Sequence, residues 1–371
     1  MTSLRVAILC SADSYRGSAV SFLHIAQGLT ARGVAMRLFT GHESVTEPLR
    51  AQGVDVRPLD VRSTSLHTAR RLRGELRAFA ADVLMVDRPR DLRLGFLATI
   101  GSRTALVYRY NAHSARPPSD AMIRAAYALK VRETIFLTQE RAARMLPLAP
   151  WMRRRPHRVI HEGISMDAFY PDAPGAAAFR EKFGLGDAPF VFNVGAFTRE
   201  KRTELLIEAL HRVPNAPELL LCGEGPLGDA LKARAAELGV RARFLERMPR
   251  GDLRGAYCAA SVFAHACPVE TFGLSTLEAM ACGAPVVGVR SGGLLEVVGD
   301  DGNAGILVSP ENADALAQGI AKVLGDATLA SRLSVGARRR AVEKFTLDTM
   351  ADAYERALRE ACTPDRRLNS Q

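Results

Sequence analysis

Two glutamates in the second half of the sequence have the side chains and the spacing that sugar and phosphate chemistry requires. Glu270 and Glu278 are eight residues apart. The apolar run 261–264 before them predicts a buried strand, and 274–281 predicts a short helix. Gly273 then falls at a strand-to-helix turn, where free backbone N–H groups and the helix dipole favour an anion. A phosphate bound there would leave both carboxylates free to accept hydroxyls of an attached sugar or ribose.

Cations and glycines follow two other predicted strands in the same half. Lys201 lies in the loop after the predicted strand 190–194, where its ammonium is suited to binding a diphosphate. Arg199 adds a second positive charge to this loop. The strand 219–221 is followed by a tight glycine-rich turn. The turn glycines of these two segments are Gly195, Gly223 and Gly225.

These segments resemble the retaining glycosyltransferases of family 4, which have the GT-B fold and the E-x7-E signature that Glu270 and Glu278 match. The resemblance covers nearly the whole chain, densely from 190 to 310 and thinly before 170. It implies catalytic roles for Glu270, Lys201 and His113. The residues that it implies for binding the donor are Gly17, Ser18, Gly195, Arg199, Gly223, Gly225, Met248, Phe272, Gly273, Leu274 and Glu278.

The sequence departs from the family pattern at three places. Ser18 stands where the family has the second of two glycines. Ala196 stands where the family has an arginine, and Arg199 is a neighbouring substitute. Tyr110-Asn111 stands where a His-Asp pair often contacts the donor sugar, and His113 follows slightly later. The sequence leaves open which of these two segments makes that contact.

Strands and helices alternate in both halves of the chain. This pattern predicts an α/β protein, and the resemblance makes it GT-B, with two doubly wound Rossmann-like domains facing a cleft. We expect an acceptor-binding domain over 1–170 and a nucleotide-sugar donor-binding domain over 171–346. The segment 347–371 is expected to be a helix that crosses back to the first domain, followed by a polar tail.

The net charge of +10 belongs to the first half of the chain. Residues 1–165 hold 26 Lys and Arg against 13 Asp and Glu, whereas the remaining residues hold 24 against 27. Such a half is suited to an anionic membrane surface, and Trp151 beside three arginines fits an interfacial anchor. Arginines scattered over solvated faces are the other interpretation. Nucleic acid is not predicted, because no aromatic interleaving accompanies the arginines.

The six cysteines form no C-x-x-C pair, no apolar run approaches a membrane span, and the N-terminus has the pattern of a strand. These features predict a cytoplasmic protein, with peripheral attachment to the inner face of the membrane as an option. A buried core is expected from the 47% content of hydrophobic residues.

The resemblance implies a metal-independent hexosyltransferase without a cofactor. It would move a sugar from a nucleoside diphosphate sugar to a saccharide or lipid-linked acceptor, with retention, in polysaccharide, lipopolysaccharide or glycolipid synthesis. Two alternatives stay open. One is a non-catalytic GT-B protein that binds a sugar nucleotide or glycan at a membrane. The other is a GT-B sugar-nucleotide epimerase, for which no acid and base residues were found in the sequence.

Overall fold

The structure is a computed structural model that describes residues 3–15, 17–61, 64–111 and 116–363. It divides into two compact units. One contains the chain up to Gly163 together with the chain from Leu347 onward, and the other contains Ile164–Thr346.

The first unit is built on a parallel sheet of seven strands in the order β3-β2-β1-β4-β5-β6-β7. The strands are β1 (Arg5–Cys10), β2 (Ala35–Thr40), β3 (Val56–Pro58), β4 (Val83–Val86), β5 (Ala105–Tyr110), β6 (Val131–Phe136) and β7 (His157–Val159). The helices between them are α1 (Gly17–Ala31), α2 (Glu43–Ala51), α3 (Leu66–Phe79), α4 (Pro89–Thr99), α5 (Ala121–Leu129), α6 (Gln139–Leu148) and α7 (Pro150–Arg153).

The second unit is built on a parallel sheet of six strands in the order β10-β9-β8-β11-β12-β13. The strands are β8 (Phe190–Val194), β9 (Glu218–Cys222), β10 (Ala242–Leu245), β11 (Val262–His265), β12 (Val286–Val289) and β13 (Ile306–Val308). The helices are α8 (Ala173–Lys182), α9 (Thr203–Arg212), α10 (Gly228–Glu237), α11 (Arg250–Ala259), α12 (Leu274–Ala281), α13 (Gly292–Val297), α14 (Ala313–Gly325) and α15 (Ala327–Lys344), with a 3₁₀ turn at Arg199–Lys201.

Both sheets are covered by helices on their two faces, so the side chains on both sides of their central strands are buried and mostly apolar. In β1, for example, Val6 and Ile8 belong to one hydrophobic core, and Ala7 and Leu9 belong to the core on the opposite face. The second sheet likewise separates two cores. The predicted fold class, with two doubly wound parallel-sheet domains, is confirmed.

The last helix, α16 (Leu347–Cys362), packs along α1 in the first unit. A buried polar cluster connects it to the sheet. The fully buried Arg109 of β5 donates to the Tyr354 hydroxyl of α16 at 3.0 Å and forms an ion pair with Glu162. Ser21 of α1 donates to the same Glu162 carboxylate. The cluster therefore joins four separate segments of the first unit.

The two units divide between Gly163 and Ile164, whereas the sequence placed the boundary near residue 170. Ile164 and Phe169 both pack in a core of the second unit, and Ile164 pairs with Thr346 in an isolated parallel bridge. The predicted boundary thus falls a few residues inside the second unit. The roles of the two domains in binding acceptor and donor stay predictions.

Several of the basic side chains of the first unit bind helix ends rather than solvent. Arg73 donates to the carbonyls of Leu97, Ala98 and Ile100 at the end of α4, and Arg155 donates to those of Tyr127 and Ala128 at the end of α5. Such contacts supply donors to carbonyls that have no N–H partner inside the helix.

Trp151 is half-buried and packs against the core of the first unit. The Arg124 guanidinium lies 4.8 Å from its ring centroid. Trp151 therefore contributes to the packing of the first unit, and its role as an interfacial anchor stays a prediction. Among the helices in the described part of the chain, none has both the length and the hydropathy of a membrane span.

Candidate functional site

The candidate site lies where the strand order of the second sheet changes direction. β8 and β11 are neighbours in the sheet, but the chain leaves β8 toward one edge and β11 toward the other. In parallel α/β sheets, ligands bind beyond the carboxyl ends of strands at such a point. Lys201 follows β8 and Glu270 follows β11, so the topology brings these two predicted residues together.

Glu270 is almost fully buried, with 7% of its surface exposed, and it is surrounded by donors. Lys201 Nζ lies 2.7 Å from Glu270 Oε2, and His265 Nε2 lies 3.2 Å from the same oxygen. The Thr271 N–H donates to Oε1 at 3.2 Å. The loop after β11 folds this carboxylate onto Lys201 and His265, which the sequence did not predict as its partners. Its predicted contact with sugar hydroxyls stays a prediction.

The charges of this pair stabilise each other. Burial raises the pKa of Glu270, but the Lys201 ammonium and the His265 hydrogen bond outweigh burial and hold that pKa well below its usual range. Burial lowers the pKa of Lys201, but the Glu270 carboxylate outweighs it and the net shift is upward. The site therefore holds a half-buried ammonium and a buried carboxylate, both ionised at neutral pH.

Gly273 forms the turn that starts α12, as the sequence predicted. It has φ +101°, a left-handed conformation that glycine adopts without strain. Leu274 is the first residue of α12, so the N-terminal amides of this helix begin three residues after the Glu270–Thr271 peptide. The arrangement can bind an anion close to the carboxylate.

Phe272 is a core residue of this turn. Its ring is buried and packs edge to face on Phe345 at 5.7 Å. Gly293 of α13 approaches its backbone so closely that a Cβ at Gly293 would lie 2.4 Å from the Phe272 Cα. The Gly293 N–H also donates to the Glu270 carbonyl at 3.0 Å. The start of α13 therefore fixes the loop that carries Glu270.

Glu278 lies in the middle of α12 and is half-buried. Tyr257 of α11 donates its hydroxyl to Glu278 Oε2 at 2.9 Å. Burial raises the pKa of Glu278 to about 7, although the Tyr257 hydrogen bond lowers it. The charge of Glu278 therefore depends on pH near neutrality. Its predicted contact with ribose hydroxyls stays a prediction.

The two glycines that follow β9 are required by their contacts with the turn that follows β8. A Cβ at Gly223 would lie 1.9 Å from the Gly195 carbonyl oxygen, and a Cβ at Gly225 would lie 2.5 Å from the Phe197 carbonyl oxygen. The Gly195 N–H donates to the Cys222 carbonyl at 3.1 Å. The two turns therefore pack backbone to backbone. Their predicted contact with a nucleotide stays a prediction.

Arg199 and Met248 lie at the border of this region. Arg199 is exposed and lines an open cavity of about 350 Å³ with Leu227 and Arg234. Met248 is half-buried and packs against a core of the second unit, beyond the end of β10. The structure thus directs Arg199 toward α10 and Lys201 toward Glu270.

The predicted residues of the first unit meet at the carboxyl ends of β4 and β5. Asn111 donates to the Ser18 hydroxyl at 3.0 Å, and both side chains hydrogen-bond the buried Asp87 carboxylate. Burial raises the pKa of Asp87. Gly17 is exposed at the start of α1. His113 lies outside the described residues, so Asn111 is the described member of the predicted alternatives that reaches this cluster.

Sequence reasoning missed three side chains of these clusters. His265 and Asp87 each follow an apolar run at the carboxyl end of a strand, and that position was the available signal. Tyr257 lies on a neighbouring helix, far from Glu278 in the sequence, and it has no local signal. In the part of the chain that the structure describes, no group of three His, Cys, Asp or Glu side chains is arranged to hold a metal ion.

Comparison with known proteins shows the class to which this fold and site belong. A family model described as "Glycosyl transferases group 1" matches residues 176–340. The crystal structure of HepE from Anabaena, in complex with UDP and glucose, matches with a TM-score of 0.84 and 20% identity, covering 96% of this chain and 99% of that chain. The fold is therefore that of a GT-B glycosyltransferase.

Curated relatives define the family. The D-inositol 3-phosphate glycosyltransferase of Xylanimonas cellulosilytica is 31% identical over 92% of each protein. The chain belongs to the group 1 glycosyl transferases. The GDP-mannose-dependent alpha-(1-6)-phosphatidylinositol monomannoside mannosyltransferase of Mycolicibacterium smegmatis is 35% identical over 49% of this chain. That match spans about half the length of the mannosyltransferase (51%).

Proposed function

We propose that this chain is a retaining, metal-independent hexosyltransferase of glycosyltransferase family 4, in which Glu270 and Glu278 form the E-x7-E signature. Its donor is a nucleoside diphosphate sugar and its acceptor is a saccharide or a lipid-linked saccharide. The observation that carries the proposal is the ion pair between half-buried Lys201 and buried Glu270 at the switch point of the second sheet. This pair offers one cation for a diphosphate and one carboxylate for a sugar.

Lys201 is proposed to neutralise the charge that develops on the leaving diphosphate. The bond between the anomeric carbon and the diphosphate oxygen breaks, and the acceptor oxygen bonds to the same face of that carbon. The acceptor proton passes to the leaving phosphate. The amides of Gly273 and Leu274 stabilise the same negative charge, because they are fixed before the reaction begins. The half-buried Lys201 and a helix N-terminus take the place of a metal ion.

The two glutamates have separate roles in this proposal. Glu270 remains ionised, as its lowered pKa indicates, and its Oε1 accepts hydroxyls of the sugar. It also stabilises positive charge that develops at the anomeric carbon. Glu278 accepts the ribose hydroxyls as a carboxylate. Because Glu270 has its donors in place and a depressed pKa, we assign it electrostatic stabilisation rather than general acid catalysis.

The second unit is proposed to bind the donor and the first unit the acceptor. The Ser18, Asn111 and Asp87 cluster lies at the carboxyl ends of the first sheet, next to the switch between β1 and β4. Carboxylate, amide and hydroxyl groups are suited to binding sugar hydroxyls. His113, two residues after Asn111 in the sequence, stays a proposed contact of the reacting sugar.

The names of the relatives support the class of substrates. One acts on a phosphatidylinositol mannoside with GDP-mannose, one glycosylates D-inositol 3-phosphate, and HepE was crystallised with UDP and glucose. We therefore propose synthesis of a cell-surface polysaccharide, lipopolysaccharide or glycolipid. The protein would act in the cytoplasm, with its basic first unit on the inner face of the membrane.

A thermal-shift panel tests the proposal. Wild type and Glu278→Ala are heated with UDP-, GDP- and ADP-sugars in the presence of a chelator. We expect one base to raise the Tm of the wild type, because a ligand of the folded state stabilises it, and we expect the variant to lose that gain. If no sugar nucleotide raised the Tm of the wild type, the result would indicate that the protein has no donor site.

A further inference from the structure

His265, the last residue of β11, contacts Glu270 and is only 3% exposed. Its Nδ1 accepts the N–H of Cys267 at 3.2 Å, and its Nε2 lies 3.2 Å from Glu270 Oε2. In a neutral imidazole, the nitrogen that accepts a hydrogen bond carries no proton. The neutral ring therefore has its proton on Nε2 and donates it to Glu270.

We propose that His265 is a positioning residue, which holds the Glu270 carboxylate in its sugar-binding orientation independently of Lys201. The inference rests on the proposed function, in which Glu270 accepts hydroxyls of the donor sugar. His265 itself touches neither the sugar nor the diphosphate in this account.

The hydrogen bonds distinguish the two oxygens of Glu270. Oε2 receives both Lys201 Nζ and His265 Nε2, whereas Oε1 receives the Thr271 N–H. Each carboxylate oxygen accepts about two hydrogen bonds. Oε2 is therefore the anchored atom, and Oε1 is the atom with capacity to accept a sugar hydroxyl.

A second donor to Oε2 is needed because Lys201 has two tasks. As negative charge develops on the leaving diphosphate, the ammonium is drawn toward it and its hydrogen bond to Glu270 weakens. A buried carboxylate without donors is strongly destabilised and would change its orientation or take up a proton. His265 Nε2 supplies the remaining donor to Oε2, so the carboxylate keeps its orientation toward the anomeric centre.

The backbone between His265 and Glu270 is braced so that their separation is fixed. Ser291 donates to the Cys267 carbonyl at 2.9 Å, and the Gly293 N–H donates to the Glu270 carbonyl at 3.0 Å. Asn193 of β8 donates to the Ala264 carbonyl at 2.8 Å. A support of this kind, built on two strands and a helix, holds a side chain in place more accurately than a loose loop does.

Three variants of His265 separate the two hydrogen bonds of the ring. His265→Leu removes both. His265→Gln places an amide donor near the position of Nε2, and His265→Asn keeps an acceptor for the Cys267 N–H without reaching Glu270. We expect turnover of the donor sugar to fall roughly 10- to 100-fold in the Leu and Asn variants, the loss of one hydrogen bond to a charged group. The Gln variant should remain within about fivefold of the wild type.

Binding of the nucleoside diphosphate alone is the matched control. The diphosphate lacks the sugar that Glu270 binds, so its affinity should be the same in all four proteins. If His265→Gln turned over the donor as slowly as His265→Leu while both variants had the same Tm, the proposal would be overturned. Loss of nucleoside diphosphate affinity in the Leu variant, as large as the loss of turnover, would also overturn it, because the effect would then be general damage to the site.

A carbon-13 titration of the glutamate side chains gives a readout that needs no activity. The Glu270 signal is assigned by its loss in Glu270→Gln. Its pKa should rise in the Leu and Asn variants and return toward the wild type in the Gln variant. An unchanged pKa in the Leu variant would contradict the proposal. Inactivity of the wild type with every donor would contradict the proposed function, and the titration would then decide on the His265 contact alone.

Discussion

Tyr257 donates its hydroxyl to Glu278 Oε2 at 2.9 Å, from α11 to the neighbouring helix α12. The bond lowers the pKa of Glu278, but burial has the larger effect and raises that pKa to about 7. A residue that is proposed to bind ribose hydroxyls as a carboxylate is therefore only partly ionised at neutral pH. Two measurable consequences follow for wild type and variants.

The affinity for the sugar nucleotide should increase as the pH rises through about 7. Tyr257→Phe removes a hydrogen bond that favours the carboxylate, so the midpoint should move to higher pH. Titration calorimetry at several pH values measures both midpoints. An affinity that is independent of pH in both proteins would contradict the assigned role of Glu278.

The same shift predicts a pH-dependent stability. Glu278 binds its proton more tightly in the folded protein than in the unfolded chain, where its pKa is near the usual 4.5. Its contribution to stability is therefore full below about 4.5 and is lost as the pH rises through about 7. Glu278→Gln has no such loss, so its Tm should gain on that of the wild type between about pH 5 and pH 8. If instead the Tm of the wild type rose relative to that of Glu278→Gln over this pH range, folding would favour the carboxylate form of Glu278.

Gly223→Ala should destabilise the second unit, because the new Cβ would lie 1.9 Å from the Gly195 carbonyl oxygen. We expect a loss of about 3 kcal/mol in the free energy of unfolding, the scale of an overpacked site. Gly228→Ala is the matched control, since its nearest neighbour would be 3.7 Å away. Urea unfolding of both variants measures the difference. Equal stability of the two would show that the turns can separate freely.

Glu162→Ala should destabilise the first unit by about 3 kcal/mol, because it leaves the buried Arg109 guanidinium with only the more distant Asp87 carboxylate, 3.8 Å away. Glu47→Ala removes an exposed partner of Arg50 and should cost less than about 1 kcal/mol. Hydrogen exchange of α16 reports the same event, since Arg109 also binds Tyr354. A small cost for Glu162→Ala would mean that water replaces the carboxylate.

Binding to anionic vesicles should depend on the exposed arginines of α3. Arg70→Ala with Arg71→Ala should weaken binding roughly 30-fold at low salt, at about 1 kcal/mol for each arginine. Arg332→Ala with Arg339→Ala removes the same charge from exposed positions of α15 and should leave binding unchanged. A vesicle flotation assay measures the fraction of each protein that is bound to the vesicles. Salt-independent binding, or an equal effect of the two pairs, would contradict a membrane role for α3.

The sequence predicted the elements of the site better than its contacts. The alternation of apolar runs and helices gave the strand before Glu270 and the helix 274–281, because local periodicity determines both. The state of Glu270 could not be read in this way. Lys201, His265 and Thr271 converge on its carboxylate only after β8 and β11 pair, and this pairing is a long-range property.

Glycine contacts show the same limit. The turn at Gly223 and Gly225 was recognised from its composition, but the sequence suggested a nucleotide as the reason for the glycines. The structure gives another reason, which is the close approach of the Gly195–Phe197 backbone. Tyr257 could not be found, because helix-to-helix contacts leave no pattern in either segment alone.

The most direct test of the account is the transfer reaction itself, followed by proton NMR with a chelator present. Wild type is given each nucleoside diphosphate sugar with a lipid-linked or free saccharide acceptor. The account predicts consumption of one donor and a product with the donor's anomeric configuration. It predicts that Lys201→Ala is roughly 1,000-fold slower, while Lys182→Ala, which removes an exposed partner of Asp252, is unaffected. An inverted product, or equal rates for the two lysine variants, would contradict it.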